Sequence, residues 1–111
     1  MLKRRVKVLF LASVLALASF GADAVETIGD RSCGKWIEVR KATTWNTLEV
    51  QAWLIGYLSG LAVASNKDIA KGTDNESIHA WMDNYCKSNP LKYLGSGGLE
   101  LYRVLVREKN L

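Results

Sequence analysis

The sequence predicts an all-α protein, a small four-helix domain tied by one disulfide that follows a cleaved N-terminal signal peptide. Three observations lead there. Apolar residues recur at helical spacing over most of the chain, with no sustained strand-like alternation. The central stretch Trp53–Ala64, WLIGYLSGLAVA, is almost wholly apolar and holds two glycines four apart. The chain has two cysteines, Cys33 and Cys86, and it opens with a targeting pattern.

That pattern has three parts. Met1–Lys7 carries Lys3, Arg4, Arg5 and Lys7, Val8–Phe20 is apolar and uncharged, and Ala22-Asp23-Ala24 offers small residues to a signal peptidase. The apolar run of 13 residues falls below the roughly 18–20 that span a bilayer. Residues 1–24 therefore read as a signal peptide and residues 25–111 as one helical domain, periplasmic or secreted, with no stable membrane insertion after cleavage. The full chain has 15 Lys+Arg against 11 Asp+Glu, and the first 24 residues hold four of the bases and one acid. The remaining 87 residues are nearly neutral, at 11 bases to 10 acids. No basic excess is left for phosphates, so nucleic-acid binding is not expected. In an exported domain this small, Cys33 and Cys86 read as a disulfide. Closing that loop contributes about 4 kcal/mol in the chain-entropy model.

The first helix is expected over Arg31–Lys41. Cys33 and Ile37 share a face with Trp36 and Arg40, and Asp30 or Ser32 is placed to cap it. Asn46 followed by Glu49 resembles a capping box, so the second helix is expected over Thr47–Ser65. Between Ala52 and Ala64 it is apolar in every direction, and only Tyr57 and Ser59 carry hydroxyls. Such a helix is buried or lies in a membrane, and its short apolar core favours burial. Asn66–Asn75 is polar turn chemistry and is expected to be the most mobile connection. Thr73 and Glu76 suggest another capping box, opening a third helix over Asp74–Lys87. Its buried stripe is Ile78, Trp81, Met82, Tyr85 and Cys86. Asn89 and Pro90 suit the start of the fourth helix, and Leu91, Leu94, Gly98, Leu101 and Leu105 hold phase through Gly95-Ser96-Gly97-Gly98. That unbroken phase predicts a continuous helix whose bare backbone meets a neighbour.

Gly56, Gly60 and Ala64 form a smooth stripe on the second helix. The expected arrangement packs them against Gly95 and Gly98 of the fourth. In that arrangement Gly60→Leu would overpack the crossing and cost roughly 1–3 kcal/mol.

Candidate chemistry is sparse. Ser59 in GYLSG is not at the centre of a G-x-S-x-G turn, and no strand precedes it. His79 and Cys86 lie two helical turns apart, about 10 Å, too far for a thiol–imidazole pair. Glu76, His79 and Asp83 share a helix side, but one histidine with two carboxylates and no second His motif reads as a solvated face. The GSGG run has no following Lys-Ser/Thr. No enzyme, metal or cofactor is expected. Trp45, between helices, is the best candidate for an exposed partner-binding aromatic.

Cys33, then WLIGYLSG (Trp53–Gly60), then WMDNYC-x-x-NPL (Trp81–Leu91), then an amphipathic terminal helix, form an order that resembles the Rap/Tai-type immunity proteins of type VI secretion. More loosely the chain is similar to the HdeA/HdeB acid-stress chaperones. The immunity proteins commonly carry a Cys just before the G-Y of the central helix, where this chain has Trp53, Leu54 and Ile55. The resemblance implies a non-enzymatic periplasmic protein that binds another protein, as an immunity-type inhibitor of a secreted toxin. The alternatives are an acid-stress chaperone and an exported helical protein with a structural role. A homodimer through an exposed helix face is compatible with each.

Overall fold

A computed structural model describes residues 25–111; the expected signal peptide lies outside the described residues. Within them the protein is all-helical, with α1 Cys33–Val39, α2 Trp45–Ser65, α3 Asn75–Ser88 and α4 Leu94–Glu108. The helices α2 and α3 sit diagonally, each packed against both α1 and α4. Cys33 of α1 and Cys86 of α3 form the disulfide, with Cα atoms 4.9 Å apart and both residues fully buried. Trp36, Leu54, Met82 and Leu94 fill the core around it.

Local chemistry sets the helix starts, in several places differently from the sequence expectation. Ser32 caps α1 by accepting from Lys35 N at 3.1 Å. This helix buries Cys33, Trp36 and Val39, while Ile37 turns outward. A helix of barely two turns presents one narrow face, and the disulfide fixes which. Thr44, not Asn46, caps α2. Thr44 N donates to Thr47 Oγ1 at 3.1 Å, and Thr47 N donates back to Thr44 Oγ1 at 3.4 Å. The buried Thr47 hydroxyl also lies within 2.7 Å of the carbonyls of Val39 and Ala42. One side chain thus ties the end of α1 to the start of α2, and this is why the helix begins two residues early, at Trp45.

The Asn66–Asn75 connection is anchored rather than loose. Ile69 is 2% exposed and plugs the core, Thr73 Oγ1 donates to Ile69 O, and Lys109 Nζ donates to Lys71 O. Asp74 replaces Thr73 as the cap of α3, accepting from Ser77 N at 2.7 Å. Asn89 does not start α4. It closes α3, its side-chain amide donating to Tyr85 O at 2.9 Å. Pro90 and Leu91 then lie in an exposed turn outside α4.

The fourth helix has no side-chain cap of its own. Its cap comes from Asp30, whose carboxylate accepts from Gly95 N at 3.0 Å and from Arg31 N at 2.8 Å. Thr27 Oγ1 orients that carboxylate at 2.7 Å. Arg31–Cys33 also pairs with Lys92–Leu94: Cys33 N donates to Lys92 O, and Leu94 N to Arg31 O, each at 2.8 Å.

The glycine run lies in the first turn of α4, which is continuous, as the apolar phase predicts. Neighbours do press on its bare backbone, but not the expected ones. A β-carbon at Gly98 would lie 2.7 Å from the Tyr57 ring, one at Gly97 2.7 Å from Met82 Sδ, and one at Gly95 2.5 Å from the Asp30 carboxylate. The α2–α4 crossing is therefore made by Tyr57 and Leu54 against Gly98. A β-carbon at Gly56 or Gly60 would meet nothing within 4 Å, and Gly56, Gly60 and Ala64 are all exposed. The expected glycine-on-glycine contact is absent, and with it the overpacking expected of Gly60→Leu.

Gly97→Ala and Gly98→Ala should each destabilise the fold by roughly 1–3 kcal/mol, because ring and backbone must separate to admit the methyl group. Urea unfolding of the two variants checks this; wild-type midpoints would contradict it.

Candidate functional site

The second helix is apolar but is not buried all round. Only Thr47, Val50, Leu54 and Leu58 are buried along it. Tertiary neighbours cover one side, and the opposite side faces outward. At 100° per residue, Trp45, Ala52, Gly56, Gly60 and Val63 fall on a strip centred directly opposite Leu54, flanked by Leu48, Ile55 and Ser59. Trp45 is 85% exposed, Val63 82% and Leu48 47%. The strip carries one charge, Glu49, which accepts from Arg31 Nη2 at 3.1 Å. From Trp45 to Val63 it therefore presents about 27 Å of helix, with exposed bulk at its two ends and the bare backbone of Gly56 and Gly60 between them.

Two stacked aromatic pairs flank the glycine turn of α4. Trp53 lies on Tyr57 with centroids 5.2 Å apart, and Trp81 on Tyr85 at 5.4 Å. Trp53 Nε1 also donates to Ile28 O at 2.8 Å, holding the segment that carries Asp30. Between the pairs lies an open groove of about 930 Å³, lined by Tyr57, Tyr85, Tyr93, Leu61, Leu99 and Arg103 among others. Burial, and then the Asp30 charge, pushes the Tyr57 phenol up; burial and then Glu100 do the same to Tyr85. Both phenols therefore stay protonated at neutral pH.

The third constellation lies between α1 and α3. Asp83 accepts from Arg40 Nε and Nη2, each at 2.9 Å, and from Trp36 Nε1 at 2.8 Å. Burial alone would raise the Asp83 carboxyl, but the hydrogen bonds from Arg40 and Trp36, with the guanidinium charge, hold it below its ordinary value. His79 is buried beside Trp36 with ring centroids 5.8 Å apart, and its Nε2 has no hydrogen-bond partner. Burial first, and then the Arg40 charge, lowers its pKa; Glu76 and Asp83 oppose this without reversing it. The expectation that His79 and Asp83 belong to a solvated face is thus overturned: one is core, the other a tertiary anchor. Among the described residues no group of three or more His, Cys, Asp or Glu is placed to hold a metal ion.

No family model, no curated protein and no solved structure matches this chain. The site is read from geometry alone.

Trp45 is exposed as expected, but as the first residue of α2 rather than in a linker. Gly56 and Gly60 share its outward side of the helix instead of serving the core, and Ala64, about 100° round from Trp45, is exposed as well. Gly95 and Gly98 are buried, separated from that stripe by the body of α2. Sequence reasoning missed Leu48 and Val63 as surface residues because apolar character runs evenly around α2, with no polar side to mark the exterior. It missed His79 because a histidine beside a buried stripe looks like its polar edge.

A histidine kept neutral by burial gives the stability a pH slope of definite sign. Below its ordinary value of 6.5 the unfolded chain binds a proton that the folded chain resists, so stability falls as pH falls. The Asp83 pair adds a second loss as pH drops below the ordinary carboxyl value of 3.8. His79→Phe should flatten the dependence between pH 7 and 5 in thermal unfolding; an unchanged slope would remove His79 as its source.

Proposed function

We propose that this is an exported, non-enzymatic protein that works by binding another protein through the outward face of α2. The supporting observation is that face itself: Trp45, Leu48 and Val63 exposed on one helical strip whose single charge, Glu49, is paired with Arg31. Folded soluble chains rarely leave a contiguous apolar strip of this length in water unless something covers it. Exposed Trp is also a favoured interface anchor. The buried disulfide fits an oxidising compartment and agrees with the signal-peptide reading of Met1–Ala24. Within protein binding, the resemblance to the Rap/Tai-type immunity proteins favours inhibition of a secreted toxin. An apolar helix face bearing a protruding Trp suits the occlusion of a hydrophobic site on such a target.

A second reading, an acid-responsive chaperone of the HdeA/HdeB kind, draws on a different observation. His79 sits buried with Nε2 unpaired between α1 and α3, so acid loosens that interface and exposes apolar surface while the disulfide still joins the two helices.

A photo-crosslinking amino acid placed at Trp45 or Val63 in the exported chain tests the first reading. Both positions should give a discrete adduct with one other protein, and the same residue at Glu108, outside the strip, should give none. Adducts of equal yield at all three positions, or none at any, would contradict it.

A further inference from the structure

We propose that the tyrosine groove over the first turns of α4 binds a proline-rich peptide segment in the extended polyproline II conformation, with Tyr57, Tyr85 and Tyr93 as its platforms. This site is separate from the outward face of α2, and neither reading depends on the other.

The glycines of α4 build the groove. The Tyr57 ring lies against Gly98 and the Tyr85 ring against Gly97, so rings from α2 and α3 bracket a single turn of α4. Tyr93, at the N-cap position and 55% exposed, adds a third ring to the lining. Trp53 stacks on Tyr57 and Trp81 on Tyr85. The two platforms are therefore held in place before a ligand arrives. Leu61 and Leu99 add aliphatic surface between them.

The chemistry of the lining selects the ligand. Prolyl rings are apolar and rest on aromatic surfaces, which is how aromatic-lined grooves take polyproline II segments. The polyproline II backbone makes no internal hydrogen bonds, and proline has no N–H, so such a segment presents carbonyl acceptors in need of donors. The groove is rich in donors: the three phenols, the Ser96 hydroxyl, the Lys92 ammonium and the Arg103 guanidinium. Burial and the nearby Asp30 and Glu100 charges keep the Tyr57 and Tyr85 phenols protonated, so both donate at neutral pH. Arg103 stands 3.9 Å from Glu100, beyond hydrogen-bond distance, and its N–H groups are not consumed by that contact. Lys92 and Arg103 are set against Glu26, Glu100 and the capping Asp30, so an anionic polymer finds no excess of positive charge to hold it. The groove is also open and surrounds a ligand only in part. A flexible chain would lose more on ordering than such a site returns, whereas polyproline II is already extended and stiff.

The test titrates the disulfide-bonded, exported chain with a polyproline peptide of about ten residues and follows backbone amide shifts by NMR. The shifts should saturate and be largest at Tyr93, Ser96, Leu99 and Arg103, and a Gly-Ser peptide of equal length should leave them unmoved. Tyr57→Phe and Tyr85→Phe keep the rings that pack on α4 and remove one donor each, so each should weaken binding roughly three- to tenfold. Ser96→Glu sets a carboxylate against the ligand's carbonyls and should weaken binding at least tenfold. Its fold is secure, because an acidic residue in the first turn of a helix is favourable, and the thermal midpoint checks this. Shifts that do not saturate by about 1 mM peptide, or that are equal for the Gly-Ser peptide, overturn the proposal. Wild-type binding by Ser96→Glu overturns it, as does saturable binding of a neutral chitin oligosaccharide in place of the peptide. Shifts centred on Trp45 and Val63 would move the peptide to the α2 face, removing this site and leaving the contact-surface reading standing.

Discussion

The first turn of α4 is the constraint on which the rest of the structure depends. Three elements distant in sequence converge on Gly95, Gly97 and Gly98: the Asp30 carboxylate, the Tyr85 ring with Met82, and the Tyr57 ring. A side chain at any of these positions would push one element away. Because the carboxylate supplies the missing cap from 65 residues away, the N-terminal segment is part of the fold. The pairing of Arg31–Cys33 with Lys92–Leu94 and the Cys33–Cys86 disulfide lie beside it. The covalent link, the cap and the glycine turn therefore form one knot, and the buried faces of α2 and α3 are set by it.

That knot also explains why α2 is covered on one side only. Its position is fixed through Leu54 and Tyr57 on the side toward α4, and through Thr47 toward α1. No fifth element reaches the side that bears Trp45, Gly56, Gly60 and Val63 among the described residues. Only the outward half of WLIGYLSGLAVA is left without a role in the fold. Its inward half packs the core, and its outward half is the surface from which the proposed function is drawn.

The four helices and the disulfide were legible in the sequence because each rests on a strong local signal, apolar phase for the helices and an even cysteine pair for the link. The caps were less legible. Thr44 and Thr47 displace Asn46 and Glu49 because the Thr47 hydroxyl also reaches Val39 and Ala42. Asn89 could equally end one helix or begin the next, and tertiary pairing at Lys92–Leu94 decided it. Continuity of α4 through its glycines followed from phase, but the identity of what lies on them did not, since Tyr57, Tyr85 and Asp30 come from three other segments. The outward face of α2 was hidden for a simpler reason. With apolar residues on every side, sequence cannot distinguish the side a neighbour covers from the side it leaves bare.

The central claim is that Gly56 and Gly60 serve contact with another chain and not the fold that contains them. The most direct measurement is the unfolding free energy of a Gly56→Ala/Gly60→Ala variant, in solution dilute enough to keep the chain monomeric. Two interior helix glycines replaced by alanine, with open space over both, should raise stability by roughly 1–2 kcal/mol. A loss of stability would show that the glycines are needed within the monomer and would contradict the account.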